Sequence, residues 1–315
     1  MNKKSCNICP LNCKVTRNKK TSGRCGANSV CYVAYSGLHY WEEPPISGTH
    51  TKTNNSQGPG SGAIFFSNCS LKCVFCQNYK ISGINTNNAG KPTTIEDLAL
   101  VMLDLQNLGA MNINLVTGTH YIYTILPAVK LAKKQGLSIP IIWNSSGYET
   151  IESIDLISEI IDVWLPDFKF GDNKLGFELT YNYIKNYSDV AICAIKQMVE
   201  YKHEINFDTY RDNSRIISGV VVRHLLLPGN LDNSLRVLKI LFDNFKNNIK
   251  YSIMNQYTPV IDKSVSARLN HEELNDTVDK KDYEYLLDYA DFLGIKDYYW
   301  QQEGTSSTKF IPDFK

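Results

Sequence analysis

The distribution of cysteine constrains this chain more than any other feature of its sequence. Eight of the nine cysteines lie between Cys6 and Cys76, in the first quarter of 315 residues. An odd, clustered set of thiols without a secretory signal argues against a disulfide framework and favours metal ligands in a reducing compartment. The ninth, Cys193, stands in an apolar run and is predicted to be a core residue. We therefore expect a cytoplasmic protein whose first 76 residues bind metal.

Charge and hydropathy exclude two broad classes of protein. Lysine and arginine number 33 against 32 aspartates and glutamates, so the chain lacks the basic excess of a nucleic-acid-binding protein. No apolar run approaches the roughly 18 residues that suggest a membrane helix. The charged start at residues 1–4 is not followed by the apolar segment of a secretory signal. We predict a soluble intracellular protein with neither a nucleic-acid nor a membrane partner.

Beyond residue 60 the hydrophobic pattern alternates between short strands and amphipathic helices. Six strands are predicted, at residues 63–67, 112–117, 139–143, 162–165, 220–227 and 251–254. Five helices are predicted between them, at residues 95–108, 122–135, 151–160, 191–201 and 235–245. Pro127 suits only a first helical turn, which predicts a helix start near Thr124. This alternation predicts a parallel sheet, as a partial barrel or an open doubly wound sheet, with its ligand site at the carboxyl ends of the strands.

Three cysteines follow one another closely after the first predicted strand. Cys69, Cys73 and Cys76 are separated by three and then two residues, and residues 77–80 offer no further thiolate or imidazole. Thiolates suit zinc and iron–sulfur clusters, but a structural zinc site takes four protein ligands. Three cysteines on a [4Fe–4S] cluster leave one iron open to an exogenous ligand. A structural metal knuckle is the alternative interpretation.

This spacing resembles the defining element of the radical S-adenosylmethionine (SAM) superfamily, and Phe75 fits the aromatic preference of its cluster loop. Six further segments are similar to the PflX-type branch, which is related to pyruvate formate-lyase activating enzymes: residues 41–48 (WEEPPISG), 73–79 (CVFCQNY), 112–117 (NINLVT), 144–149 (NSSGYE), 165–169 (LPDFK) and 222–225 (VRHL). The resemblance covers nearly the whole chain. It implies an α/β fold, a partial (β/α)6 barrel with a cysteine-rich N-terminal extension.

The predicted organisation has three parts. Residues 1–48 form the cysteine-rich extension, and residues 61–315 form the barrel. Between them, the polar run at residues 49–60 contains Gly and Pro and is expected to be a flexible loop.

The resemblance implies a division of labour between cofactor and protein. The amino nitrogen and carboxylate of SAM would chelate the open iron of the [4Fe–4S] cluster. One electron would then cleave the C5′–S bond, and the resulting 5′-deoxyadenosyl radical would abstract hydrogen. The expected partners are an electron donor of the flavodoxin or ferredoxin type, which Lys72 and Lys80 would attract, and a glycyl-radical protein as hydrogen donor in an anaerobic reaction. The alternatives are another protein, a small molecule or, from a different class, a non-catalytic iron–sulfur electron carrier.

The resemblance also assigns SAM-binding residues to the ends of the predicted strands. Asp167 and Lys169 match the Asp-x-Lys of the activating enzymes, and Arg223 matches a strand-end arginine whose guanidinium suits a carboxylate. Ion pairs with a purely structural role are the alternative for these three residues. The complete set predicted to contact SAM is Phe75, Thr117, Gly118, Asn144, Ser146, Asp167, Lys169, Arg223, His224 and Gln256.

Four cysteines of the N-terminal extension form a second candidate site with C-x2-C-x3-C-x11-C spacing: Cys6, Cys9, Cys13 and Cys25. Four thiolates can close a tetrahedral zinc site or hold a second, fully ligated iron–sulfur cluster. Cys31 is a spare thiol that could replace one of them. Such a site would be structural or would relay electrons toward the first cluster, and the sequence leaves both metals open.

Overall fold

The computed structural model of this protein describes residues 5–49, 59–82, 89–302, 312 and 314. These residues form ten β-strands: β1 (Cys31–His39), β2 (Ser61–Phe66), β3 (Lys91–Thr93), β4 (Ile113–Val116), β5 (Ile141–Ser145), β6 (Val163–Pro166), β7 (Asn206–Tyr210), β8 (Asn213–Leu225), β9 (Lys250–Met254) and β10 (Tyr299–Trp300). They also form ten α-helices: α1 (Pro44–Ser47), α2 (Tyr79–Ser82), α3 (Ile95–Asn107), α4 (Ile122–Lys134), α5 (Ile151–Ile157), α6 (Asn173–Glu178), α7 (Tyr187–Tyr201), α8 (Leu231–Phe245), α9 (Lys263–Leu269) and α10 (Lys280–Leu293).

The central strands of the sheet follow the order of the chain. Side by side and in parallel lie β2, β4, β5, β6, β8 and β9. A doubly wound sheet reverses its strand order partway across, whereas a barrel keeps it. Among the described strands, β3 and β10 are the two edge strands of the sheet and do not pair with each other. The barrel is therefore partial. The predicted α/β fold class is confirmed, and the barrel alternative applies.

The six parallel strands match the six predicted ones because burial on both faces marks them in the sequence. Every residue of β2, β4, β5 and β6 is buried, as expected for parallel strands that are covered on both faces. Such strands require short continuous apolar runs. The five predicted helices correspond to α3, α4, α5, α7 and α8, which differ from the prediction only near their ends.

Three antiparallel strands were not predicted. β1 pairs with β2, β3 pairs with β1, and β7 pairs with β8. The residues of β1 alternate partly between buried and half-buried, and most residues of β7 are exposed. Because these strands face solvent on one side, no continuous apolar run marks them.

Two local predictions are wrong. The helix α4 begins at Ile122 rather than near Thr124, so Pro127 is its sixth residue and the helix tolerates the loss of one backbone hydrogen bond. Cys193 is exposed on α7 rather than buried. The apolar run around Cys193 exceeds the width of the face that α7 buries, which includes Ala191, Ala194 and Ile195.

The N-terminal extension packs against the barrel. Ile8, Cys9, Cys25 and Ala27 belong to the same hydrophobic cluster as the barrel core. Of the predicted flexible loop, residues 50–58 lie outside the described residues. Within the described part of the chain, no helix combines the length and apolar character that a membrane crossing requires.

Candidate active site

One cavity opens at the carboxyl ends of the parallel strands. It encloses about 1460 Å³, counting a mouth that is open to solvent. Parallel strands present their carboxyl ends at the same edge, which brings residues from distant parts of the chain together. The lining includes all three cysteines of the predicted cluster loop, and eight of the ten residues predicted to contact SAM: Phe75, Thr117, Asn144, Ser146, Asp167, Lys169, Arg223 and Gln256.

The cysteine loop begins directly after β2 and turns sharply. Asn68 and Lys72 adopt left-handed backbone, with φ of 74° and 52°, and asparagine accepts this conformation more readily than most residues. The backbone N–H of Lys72 donates to the Cys69 sulphur. Burial raises the pKa of Cys69, and the neighbouring Cys76 thiol adds to that effect. The loop therefore presents crowded, soft sulphur ligands to the cavity, as an iron–sulfur cluster requires.

An aromatic wall flanks the cysteine loop. Phe75 is buried, and its ring lies edge-on to Phe170, with 6.1 Å between centroids, and tilted to Tyr257, with 6.5 Å between centroids. On the other side of the loop, the Cys76 sulphur lies 3.1 Å from the hydroxyl of Ser82. The aromatic rings exclude water from one side of the thiols, which strengthens electrostatic interactions there.

Asp167 and Lys169 form an ion pair in the cavity wall, with 2.6 Å between Nζ and Oδ2. Burial alone would lower the pKa of Lys169, but the Asp167 carboxylate and the nearby Cys73 thiol raise it above its ordinary value. Tyr187 fixes the backbone around this pair. Its hydroxyl accepts the N–H of Lys169 at 3.0 Å and lies 2.9 Å from the carbonyl oxygen of Asp167 and 2.8 Å from that of Ser146. The ammonium group of Lys169 thus stays charged beside the thiols.

Arg223 is paired with two glutamates from the segment that precedes the barrel. Its Nε donates to Glu43 at 2.8 Å, and its Nη2 donates to the carboxylates of both Glu42 and Glu43. Burial would raise the pKa of Glu43, but the guanidinium holds it below its usual range. Glu42 lines the cavity and also accepts a hydrogen bond from Asn114 at 3.2 Å. Two carboxylates on one guanidinium leave a net negative charge at this wall.

Gly118 and His224 do not line the cavity. Neighbouring residues on β8 face opposite sides, so Arg223 faces the cavity while the His224 ring binds the carbonyl oxygen of Phe168 at 2.8 Å and a serine of α8. A Cβ on Gly118 would come within 3.0 Å of Trp143, which makes this glycine a packing requirement. The structure does not bring these two residues together with the other eight.

Two further polar residues were not singled out from the sequence. Glu149 is buried and accepts hydrogen bonds from Thr119 at 2.8 Å, Trp143 at 2.7 Å and Ser145 at 2.7 Å, and burial raises its pKa. It therefore braces the ends of β4 and β5. Asn78 lines the cavity, and its buried Oδ1 has no hydrogen-bond partner within the described part of the chain. The only sequence signal for Asn78 is its place two residues after Cys76.

The N-terminal cysteines lie behind the cluster loop rather than in the cavity, and none of them belongs to its lining. Arg17 of the extension donates to the carbonyl oxygen of His120 at 2.7 Å. Gly26 packs directly against Asn68, because a Cβ added to this glycine would lie 2.5 Å from Asn68 Oδ1. The extension therefore supports the cluster loop from its outer side.

Comparison with known proteins identifies relatives of both the sequence and the fold. The family model described as the radical SAM superfamily matches residues 63–257, which is more than half of the chain. The uncharacterized protein MJ0674 of Methanocaldococcus jannaschii is 29% identical over 297 residues, covering 90% of this chain and 76% of that protein.

Two solved structures share the fold. A radical SAM methyltransferase from Sphaerobacter thermophilus superposes with a TM-score of 0.52 at 11% identity, over 78% of this chain and 69% of that chain. SuiB of Streptococcus suis, bound to its precursor peptide SuiA, superposes with a TM-score of 0.50 at 14% identity, over 74% of this chain. The match spans 46% of the SuiB chain, less than half its length.

The residues of the cavity fit the cofactors of this family. Three thiols on the loop after the first parallel strand supply the soft ligands of a [4Fe–4S] cluster, and the charged strand ends beside them suit a zwitterionic nucleotide such as SAM. The family model covers this loop and the strand ends that share its cavity. This chain therefore belongs to the radical SAM superfamily.

Proposed function

We propose that this enzyme cleaves SAM reductively in the cavity and abstracts hydrogen from the Cα of a glycine in a partner protein. When bound, the cluster and SAM together supply a 5′-deoxyadenosyl radical. The observation that carries the proposal is the meeting of three thiols and the charged strand ends in one cavity. The chain's own residues bind, orient and shield these groups.

Cys69, Cys73 and Cys76 are the proposed cluster ligands. They are the only cysteines in the cavity lining, and the other six, all within the described part of the chain, lie elsewhere. One coordination position is thus left for a ligand that is not a cysteine. This arrangement argues against the non-catalytic electron carrier, because such a carrier takes all its cluster ligands from the protein.

The charged walls are proposed to hold the methionine end of SAM. Lys169 provides a cation beside Cys73, as a carboxylate requires. Arg223 is already occupied by two glutamates, so we infer that it positions Glu42 as an acceptor for the ammonium group instead of binding the carboxylate itself. Five further lining residues are proposed to contact the ribose and adenine or to orient them: Phe75, Thr117, Asn144, Ser146 and Gln256.

A polypeptide substrate is supported by three observations. The mouth of the cavity is open to solvent, with Trp41 at its rim 44% exposed, so a protruding loop of another protein has access. The sequence also resembles the activating enzymes of glycyl-radical proteins in the segments named above. The structural relative SuiB was crystallised with a precursor peptide. An electron donor of the flavodoxin or ferredoxin type is the proposed second partner.

The test measures SAM cleavage and the origin of the abstracted hydrogen separately. Reconstituted enzyme with dithionite and SAM is expected to form 5′-deoxyadenosine and methionine. A candidate glycyl-radical protein deuterated at glycine Cα is expected to transfer deuterium to 5′-deoxyadenosine. Cleavage without deuterium transfer would point to another protein or a small molecule as substrate. If no 5′-deoxyadenosine forms at all, the radical function itself is wrong.

A further inference from the structure

The N-terminal extension brings four thiols near one another, two of them beside a glycine. A Cβ built on Gly23 would lie 3.5 Å from both Cys13 Sγ and Cys25 Sγ. The thiols of Cys6 and Cys13 hydrogen-bond to each other, and Cys9 lies near both Cys6 and Cys25. All four are free thiols rather than disulfides. Cys31 stands apart, at the start of β1 opposite Thr93.

Backbone N–H groups are aimed at three of the four sulphurs. In each case the donor lies two residues beyond the cysteine: Leu11 for Cys9, Val15 for Cys13 and Ala27 for Cys25. The turns that aim these groups need left-handed backbone, with φ of 40° at Asn12 and 98° at Gly26. A set of buried thiols with only a packing role does not require this repeated arrangement.

A single arginine lies among the sulphurs. Arg17 Nη2 donates to Cys6 Sγ at 2.8 Å, and its Nε would stand 3.2 Å from a Cβ on Gly23. Arg17 Nε is buried and has no hydrogen-bond acceptor within the described part of the chain. A buried donor of this kind needs an acceptor. Two thiols and an unsatisfied N–H group thus lie close together beside Gly23.

The unsatisfied N–H group of Arg17 separates the two metals that the spacing allows. A zinc ion held by four thiolates brings no acceptor of its own, whereas an iron–sulfur cluster also contains inorganic sulfides. One of these sulfides can accept the Arg17 Nε hydrogen. Among the described residues, no three or more His, Cys, Asp or Glu side chains are placed to hold a single metal ion, and this applies equally to Cys69, Cys73 and Cys76, where the family carries a cluster.

We propose that Cys6, Cys9, Cys13 and Cys25 hold a second iron–sulfur cluster, whose inorganic sulfide accepts a hydrogen bond from Arg17. All four ligands come from the protein, so this centre is closed. It lies behind the catalytic loop, where Gly26 contacts Asn68, the residue before Cys69.

The first experiment removes the catalytic cluster and leaves the extension intact. The triple variant Cys69→Ala/Cys73→Ala/Cys76→Ala is reconstituted anaerobically with iron and sulfide, and iron, sulfide and zinc are measured per chain. We expect about four iron atoms to remain, or two for a [2Fe–2S] cluster, with a charge-transfer absorption that dithionite bleaches. Retention of zinc without iron, or of no metal at all, would overturn the proposal. This readout does not depend on SAM cleavage or on any substrate.

The second experiment locates the remaining iron. Adding Cys9→Ala and Cys13→Ala to the triple variant is expected to abolish the iron and its absorption, whereas adding Cys31→Ala as the matched control leaves both unchanged. Arg17→Gln in the triple variant keeps the iron but shifts the electron paramagnetic resonance spectrum of the reduced cluster. If Cys31→Ala removes the iron and the pair Cys9→Ala/Cys13→Ala does not, the ligand set is wrong.

Discussion

The cysteines of the cluster loop (residues 69–76) and those of the N-terminal extension lie in contrasting surroundings. The part of the extension that contains four of them, residues 6–25, is called the head below. Three thiols of the loop line an open cavity beside charged strand ends. Four thiols of the head are surrounded by donating backbone N–H groups and an arginine, outside that cavity. The comparison shows that the two sets of thiols differ in the space and charge beside them as well as in number, which is the basis of the proposed division into a reactive and a closed centre.

The strongest test of this contrast removes one thiol from each set. Cys73→Ala is expected to reduce 5′-deoxyadenosine formation to the level without enzyme, because the catalytic cluster loses a ligand. Cys13→Ala is expected to retain formation driven by dithionite, since a small chemical reductant reaches the open cavity directly. Product is measured by chromatography after anaerobic reconstitution. Equal losses in the two variants would contradict the division into a catalytic and a closed centre.

The contact between the two regions is expected to make stability depend on pH. His120 joins them, since its carbonyl oxygen accepts from Arg17 and its ring lies 2.7 Å from the carbonyl oxygen of Ser67. Burial lowers the pKa of His120 from 6.5 to about 4. Between these values the unfolded chain binds a proton that the folded chain does not, so stability falls as pH falls from 6.5 to 4. The loss approaches about 3 kcal/mol for one such histidine.

Urea unfolding at pH 7 and pH 5 measures this dependence. His120→Gln keeps a hydrogen-bonding side chain without the titration, so its stability should change less between the two pH values. His224, whose pKa burial also lowers to about 4, contributes equally in both proteins and cancels in the difference. An identical pH dependence in the parent and His120→Gln would show that His120 is not buried as described.

The charged wall of the cavity is expected to affect SAM affinity without affecting iron content. Lys169→Ala removes the cation beside Cys73 and should weaken SAM binding roughly 10- to 100-fold, the usual effect of a charged hydrogen bond. Lys174→Ala on α6, whose side chain is 81% exposed, is the matched control and should leave affinity unchanged. Equilibrium dialysis and iron analysis give both quantities. A parallel loss of iron in Lys169→Ala would mean that this residue supports the cluster loop instead.

The smallest expected effect concerns the packing of the head on the loop. Gly26→Ala places a Cβ 2.5 Å from Asn68 Oδ1, whereas Gly136→Ala meets nothing within 4 Å. Both glycines have positive φ, 98° and 104°, so alanine introduces similar backbone strain at the two positions. Gly26→Ala should therefore lower the free energy of unfolding by about 1–2 kcal/mol more than Gly136→Ala. Equal values would show that the head does not rest on Asn68.

Site residues that are close together in the sequence could be predicted, whereas contacts between distant residues could not. Cys69, Cys73 and Cys76 stand within eight residues, and Asp167 and Lys169 are two apart on one side of the chain, so spacing alone brings each group together. The pairing of Arg223 with Glu42 and Glu43 spans about 180 residues and has no local signal. Sequence reasoning accordingly placed Arg223 at the cavity but not the glutamates that occupy it. His224 was predicted to contact SAM together with its neighbour Arg223, although the alternation of side chains on a strand points His224 away from the cavity.

The sequence by itself determined the parallel strands, their helices and the ligand types, because burial on two faces and thiol spacing are written in short runs of residues. Only the tertiary structure decided which charged side chains form ion pairs and which glycine positions cannot accommodate a side chain. It also decided where the four thiols of the head lie relative to the cluster loop. Those contacts join segments that are far apart in the chain, and their energies depend on distance and burial that no local pattern contains.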